Sequence, residues 1–277
     1  MFTLNCKGRL LSIDQPVVMG ILNITPDSFY AGSRFLNDES VIKAAAKMIE
    51  EGAAIIDIGG QSTRPGAEKI SEKEEIERVV PAIEIIKTTF PDIFISIDTY
   101  YSSVANHAVK AGADMVNDIS AGLLDTQMPA VVARLNVPII AMHMKGDPQT
   151  MQKFTQYENI IKELIDYFTE RIKQLESAGI KDIIIDPGFG FAKTIEQNFF
   201  LLSQMEAFRI LNKPVLAGLS RKSMIYKTLH LTPEEALNGT SVLNTIALTK
   251  GASILRVHDV KEAAECIKLT SRLHTST

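Results

Sequence analysis

The chain has 277 residues, 45% of them hydrophobic and 22% charged, with a formal net charge of -4. That is an ordinary globular composition, and its acidic balance disfavours a nucleic-acid or anionic-membrane surface as main partner. Cys6 and Cys266 stand at opposite ends, in no CxxC pair and beside no histidine, which argues against structural zinc and redox chemistry and fits a reducing compartment. No run reaches the roughly 18 apolar residues of a membrane span, and Met1 to Arg9 holds no apolar leader, so a soluble, cytoplasmic protein is expected.

From the N-terminus, Phe2–Cys6 and Arg9–Ile13 flank Lys7-Gly8 and predict a β-hairpin within residues 1–14. Short runs rich in Val and Ile then recur at 17–24, 54–59, 93–98, 115–119, 138–142, 183–186, 214–219 and 254–257. Continuous rather than alternating apolar runs suit parallel strands buried on both faces. Between them the periodicity is helical. Ile161, Leu164, Ile165, Phe168, Ile172 and Leu175 form one stripe, and Gly179 follows as a C-cap. Ser71 with Glu74, and Thr232 with Glu235, read as capping boxes, while Pro81 predicts a kink or break in the helix that starts near Ser71. Eight βα units without a linker give an α/β protein. The expected architecture is a single (β/α)8 TIM barrel over residues 15–277, with the hairpin closing its bottom. A doubly wound open sheet is the competing architecture.

Active sites of such barrels lie where strands end and βα loops begin. Asn23, Asp57, Asp98, Asn117, Asp118, Asp186, Lys222, Arg256 and His258 all fall at or just after an apolar run. A carboxylate there is costly unless it is paired or hydrogen-bonded. Any one of them could cap a loop; the same habit at every exit points to one shared cavity. The chain has no HxH, HExxH or G-x-S-x-G motif, which disfavours a dedicated zinc site and a serine hydrolase. Asp98, Asn117 and Asp186 suit the edge of a nitrogen-rich heterocycle. Arg256, His258 and Ser220 lie at the last two strands, where barrels often hold a phosphate, and Lys222 is close in sequence to both groups. Asn23 supplies an oxygen suited to Mg²⁺, which commonly binds through one protein ligand plus substrate phosphates.

The segments "MGILNITPDSF", "IDIGGQSTRPGA", "SIDTY", "NDISAG", "MHMKGDP", "DPGFGFAKT", "GLSRKS" and "GTSVLNTIALTKGASILRVHDV" closely resemble, in order, the motifs of the dihydropteroate synthases, from about Val18 to Val260. The resemblance implies a folate-pathway transferase and sulfonamide target, in which 4-aminobenzoate displaces pyrophosphate from 6-hydroxymethyl-7,8-dihydropterin diphosphate. By motif, Asp98, Asn117, Asp186 and Lys222 would line the pterin pocket and carry catalysis, with Met142 and Gly218 beside them. Asn23, Arg256 and His258 would hold the diphosphate with Mg²⁺, Asn23 as the metal ligand, and Thr63 would touch the same substrate. Phe29, Arg64, Pro65, Phe191 and Ser220 would surround the aminobenzoate. The family also implies a homodimer with small-molecule substrates only. One departure is visible: Gly32-Ser33 stands where the family usually has a Gly-Gly pair.

Several single residues also have plainer readings. Asn23 could begin a turn, and His258 could be a core histidine. His143 is expected to be structural, and Asp57 and Asp118 to orient loops. His107, His230 and His274 receive no role. Arg221 is expected to be the more solvent-facing of its pair, a diphosphate contact being its second reading, and Lys222 the clamp. Two rival functions share the pattern: a pterin-binding methyltransferase module, disfavoured by Arg256, His258 and "STRPGA", and a non-catalytic pterin binder, disfavoured by the intact set Asp98, Asn117, Asp186 and Lys222.

Overall fold

The computed structural model describes residues 1–24, 34–61 and 69–273. The chain opens with β1 (Phe2–Cys6) and β2 (Arg9–Ile13), paired antiparallel with Cys6 opposite Arg9. Lys7 and Gly8 both have positive φ, 54° and 92°, the backbone that a two-residue hairpin loop of matching twist requires. Eight strands follow: β3 (Val17–Asn23), β4 (Ala53–Gly59), β5 (Phe94–Asp98), β6 (Met115–Asp118), β7 (Ile139–Met142), β8 (Ile183–Asp186), β9 (Leu216–Ala217) and β10 (Ile254–Val257). They are parallel in the order β8-β7-β6-β5-β4-β3-β10-β9. The ring closes through a parallel bridge between Ile185 and Val215, where the Ile185 amide donates to the Pro214 carbonyl at 3.0 Å. The expected TIM barrel is the observed fold. Its seventh strand is much shorter than the apolar run around it.

Around the ring lie α1 (Arg34–Glu50), α2 (Glu72–Thr89), α3 (Ser102–Ala111), α4 (Met128–Leu135), α5 (Ile160–Ser177), α6 (Ile195–Ser203), α7 (Ser223–Tyr226), α8 (Leu237–Thr249) and α9 (Val260–Ser271). Helix α5 shows how sequence fixes such an element. Asn159 caps its start, with Oδ1 accepting from the Lys162 amide at 3.1 Å. At its end Gly179, φ 100°, lets its own amide reach Glu176 O and the Ile180 amide reach Leu175 O, which satisfies the last carbonyls. Leu164, Phe168, Ile172 and Leu175 of the expected stripe are buried against the sheet.

The break expected at Pro81 is absent: helix α2 continues through it, and the carbonyl deprived of a partner belongs to exposed Glu77, where solvent can serve it. A second local expectation fails. Thr232 and Glu235 do not start a helix. The Glu235 carboxylate accepts from both the amide and the hydroxyl of Thr232, closing an isolated turn ahead of α8. The Ser71 cap is present, its Oγ accepting from the Glu74 amide at 3.2 Å.

The hairpin closes the barrel bottom. Leu4, Cys6, Leu11 and Ile13 share a buried apolar cluster with Met19, Ile55, Met115, Ile140, Ile184, Leu216 and Ile254, one inward residue from each of seven strands. Burying each such side chain stabilises by roughly 1.5–3 kcal/mol. Polar contacts fasten the rim: Asn5 N donates to Asp182 Oδ2 at 3.0 Å, and Asp114 accepts from Arg9 at 3.3 Å and Lys87 at 2.9 Å. Cys6 and Cys266 are buried and unpaired. The bottom is therefore a plug, and any site must lie at the opposite rim.

Candidate active site

Side chains on a strand alternate between the two faces, so the inward positions can be followed upward from the plug. On β4 these are Ile55, Asp57 and Gly59, while Ile56 and Ile58 pack into the outer helix-facing core. On the same alternation Ser96 and Asp98 face inward on β5, Asn117 on β6, Met142 on β7, Asp186 on β8 and Arg256 on β10. One level above an apolar floor, the lumen becomes polar. The register then sets Asn23 beside Gly59, Gly59 beside Asp98, and Asp98 beside Asn117.

Arg256 organises this level. Its Nε donates to Asp57 Oδ2 at 2.6 Å and its Nη2 to Asp98 Oδ2 at 2.5 Å. The same Asp57 oxygen accepts from Asn117 Nδ2 at 3.1 Å. Asp57 was expected to orient a loop; instead it is fully buried and orients two neighbouring side chains. Its position explains the difference, because an inward strand residue one level below the rim cannot reach a loop. Burial pushes the Asp98 carboxyl up to about 7, against the opposing pull of Arg256. Burial alone would lower Arg256, but Asp57 and Asp98 outweigh it and hold the guanidinium firmly protonated.

Lys222 enters from the β9–α7 connection. Its Nζ donates to the Phe189 carbonyl and lies 5.1 Å from the centre of the Phe191 ring. Burial brings it down to about 8, with Asp186 partly opposing. Asp186 is pushed up by burial and pulled down by Lys222, and its Oδ1 accepts from the Gly188 amide at 2.8 Å. Gly218 leaves room for the ammonium, since a Cβ there would stand 3.6 Å from Lys222 Nζ. The neighbouring Arg221 is committed elsewhere. With φ 54° its side chain turns outward, pairs with Asp259 at 2.9 and 2.8 Å, and reaches the carbonyls of Pro233 and Glu234. It is a structural tie, neither a solvated cation nor an anion ligand. The left-handed backbone at Arg221 thus separates two adjacent cations into two jobs.

The remaining sequence candidates are distributed as follows. Asn23 and His258 stand at the exits of β3 and β10, both exposed. Ser220 Oγ accepts from the His258 amide at 3.2 Å, joining two strand exits. Met142 is buried with Tyr100, Ile119, Met144, Met151 and Ala192, and Phe191 packs partly against them. Asp118 faces away from the lumen and accepts from Ser120 N, Ser120 Oγ and Gly122 N at 2.6–2.8 Å, the loop-orienting role expected of it. His143 is buried, edge-on to Tyr167 at 4.8 Å, in the structural role expected. Phe29, Ser33, Thr63, Arg64 and Pro65 lie outside the described residues. The sequence reading missed Lys193, a buried lysine next to His143; a lysine closing a Gly-rich segment at a strand exit was its available signal. A cleft of about 490 Å³ between Gln15–Val18 and Ala264–Arg272 lies at the plugged end, remote from these groups.

The fold and the site define a TIM-barrel protein of the enzyme type, with hydrogen-bonding groups and two buried cations gathered at one rim. A model of the family "Pterin binding enzyme" matches residues 19–258. The dihydropteroate synthase of Synechocystis is 48% identical over 259 residues, which are 92% of this chain and 89% of that protein. The Yersinia pestis dihydropteroate synthase, solved with a sulfonamide drug complex, superposes with a TM-score of 0.93 at 37% identity, covering 99% of this chain and 100% of the other. The Xanthomonas albilineans dihydropteroate synthase, solved with 4-aminobenzoic acid, gives 0.91 at 38% identity, covering 99% of each. The chain belongs to the pterin-binding enzyme family, in its dihydropteroate synthase branch.

Substituting Asp57→Ala leaves Arg256 and Asn117 without their shared acceptor. We expect a loss of about 3 kcal/mol in folding stability, as for a buried pair that loses one member. Urea denaturation measures it; a midpoint equal to that of the parent would contradict the assigned role.

Proposed function

We infer that the protein joins 4-aminobenzoate to the methylene carbon of 6-hydroxymethyl-7,8-dihydropterin diphosphate, forming 7,8-dihydropteroate and releasing pyrophosphate. The observation that carries this reading is the meeting, at one barrel rim, of Asp98, Asn117, Asp186 and Lys222 with Arg256. Asp186 and Asn117 offer acceptors and a donor to the ring edge, and the Lys222 ammonium faces an electron-rich ring atom. Arg256 and His258, with Asn23 at the exit of the neighbouring strand β3, hold the diphosphate, while Thr63 contributes from its own loop. Phe29, Arg64, Pro65, Phe191 and Ser220 form the aminobenzoate side. As pyrophosphate departs, the methylene carbon becomes cationic in conjugation with the ring, and the Asp98 carboxylate lies close enough to stabilise it. An SN1-like substitution follows, requiring no protein nucleophile.

Mg²⁺ fits the donor set. A Cβ at Gly59 would stand 3.6 Å from Asn23 Oδ1 and 3.8 Å from Asp98 Oδ2, so two oxygens border one small space. Mg²⁺ commonly binds through one or two protein oxygens and completes its shell with water and substrate phosphates. Bound there, it would neutralise charge on the departing diphosphate.

The same reading takes the chain as one domain, hairpin 1–14 and barrel 15–277, and as a cytoplasmic homodimer. Among the described residues no helix is long and apolar enough to cross a membrane. Val242 and Ile246 on α8, and Leu269 on the adjacent α9, expose apolar side chains suited to a second copy. A monomeric mass by light scattering would remove the dimer.

Purified protein given both substrates and Mg²⁺ should release pyrophosphate; methyl transfer without release would favour the methyltransferase alternative. Lys222→Ala should lower kcat/KM about a hundredfold with the fold intact, the scale of one buried charged contact, and a near-parental kcat/KM would refute the clamp. The pH profile of kcat/KM should be bell-shaped. Protonation of Asp98 removes the carboxylate as pH falls through about 7, and deprotonation of Lys222 removes the ammonium as pH rises through about 8. A flat profile from pH 6 to 9 would contradict both assignments.

A further inference from the structure

Lys193 is 4% exposed, yet the proposed reaction makes no use of it. Its Nζ lies 3.0 Å from the Gly188 carbonyl, 3.0 Å from the Phe191 carbonyl and 3.2 Å from His143 Nδ1. Three acceptors match the three donors of an ammonium. Burial brings Lys193 down to about 7, with Asp186 opposing and Lys222 and Lys145 adding to the fall. Burial likewise depresses His143 to about 2, aided by Lys193 and Lys145, so the ring is neutral, and in the tautomer with its proton on Nε2 it accepts from Lys193 at Nδ1.

These bonds close the β8–α6 loop from inside. The loop presses on the same histidine with its backbone: Gly188 has φ 71°, and a Cβ there would lie 2.1 Å from the His143 carbonyl oxygen. Asn198 secures the other flank, its Oδ1 accepting from the Gly190 amide at 2.7 Å and its Nδ2 donating to the Lys193 and Thr194 carbonyls. The stretch so fixed carries two groups that meet Lys222: the Phe189 carbonyl, which accepts from its ammonium, and the Phe191 ring.

We propose that Lys193 is a positioning residue, whose side-chain nitrogen, through its hydrogen bonds, sets the β8–α6 loop so that Phe189 O and Phe191 hold Lys222 and the arylamine in reacting geometry. The proposal rests on the functional reading above. Its structural half can be read without catalysis. Lys193→Met keeps the length of the side chain and removes all three donors. Hydrogen exchange at the amides of Gly190 and Phe191 should quicken, while barrel-strand amides keep their protection. In the same variant KM for 4-aminobenzoate should rise about tenfold, the effect expected of one misplaced contact. A residue needed only for folding would instead lower the active fraction, and so the apparent kcat, with KM unchanged.

Should Lys193→Met fail to fold, His143→Phe removes a single acceptor and should give the same two shifts at smaller size. Quickened exchange together with raised KM supports the proposal. Parental exchange, or parental KM in a folded variant, overturns it. A parent enzyme that forms no dihydropteroate would sink the functional reading instead, and the exchange measurement then decides whether Lys193 sets the loop.

Discussion

A guanidinium inside a barrel is the constraint around which this site is arranged. Arg256 stands on the last strand with its charge in the lumen, where desolvation would be prohibitive without partners. Two carboxylates from β4 and β5 meet it, and one of them also engages Asn117 on β6. Four strands of the ring, β10, β4, β5 and β6, thereby have their positions at the rim tied to one charge pattern. Because the strands are hydrogen-bonded and backed by the helix layer, these groups cannot drift apart. Such preorganisation is what makes a low-dielectric site effective on developing charge.

The two halves of the site touch through the same residue. In the proposed reading Arg256 belongs to the anion-facing side and Asp98 to the ring-facing side, and they share a hydrogen bond of 2.5 Å. A second cation, Lys222, answers Asp186 on the opposite side of the lumen. The lumen thus sets two cations, Lys222 after β9 and Arg256 on β10, against carboxylates from β4, β5 and β8, so that each charge has an opposite partner. An array of this kind can bind a neutral, polar heterocycle and then tolerate charge appearing on it. The apolar plug underneath keeps water from entering from below.

Much of this was legible in the chain. Eight Val- and Ile-rich runs, with polar residues at their ends, are a direct imprint of parallel strands buried on both faces, and Asp98, Asn117, Asp186, Lys222 and Arg256 all lie where those runs led. The misreadings share a cause, which is that linear order does not reveal which face a residue occupies. Asp57 sits at an exit in sequence but one level inside the lumen. Arg221 and Lys222 are adjacent, yet a left-handed backbone at the first sends them apart. Pro81 disturbs α2 little because the carbonyl it orphans belongs to an exposed residue. Lys193 escaped notice because its partners are backbone carbonyls and a histidine fifty positions away, none of which leaves a mark beside it.

The hairpin has a consequence for how the molecule is made. Leu4, Cys6, Leu11 and Ile13 leave the ribosome long before Leu216 and Ile254, which complete their apolar surroundings. Strand β3 likewise waits for β10 as one of its neighbours. Closure of the ring therefore waits for segments made some two hundred residues after the hairpin, whose apolar surface stays without its partners until then. Long-range pairing of that kind slows folding and exposes intermediates to aggregation. The cellular chaperone supply, as much as the sequence, then bears on how much of this enzyme a cell obtains.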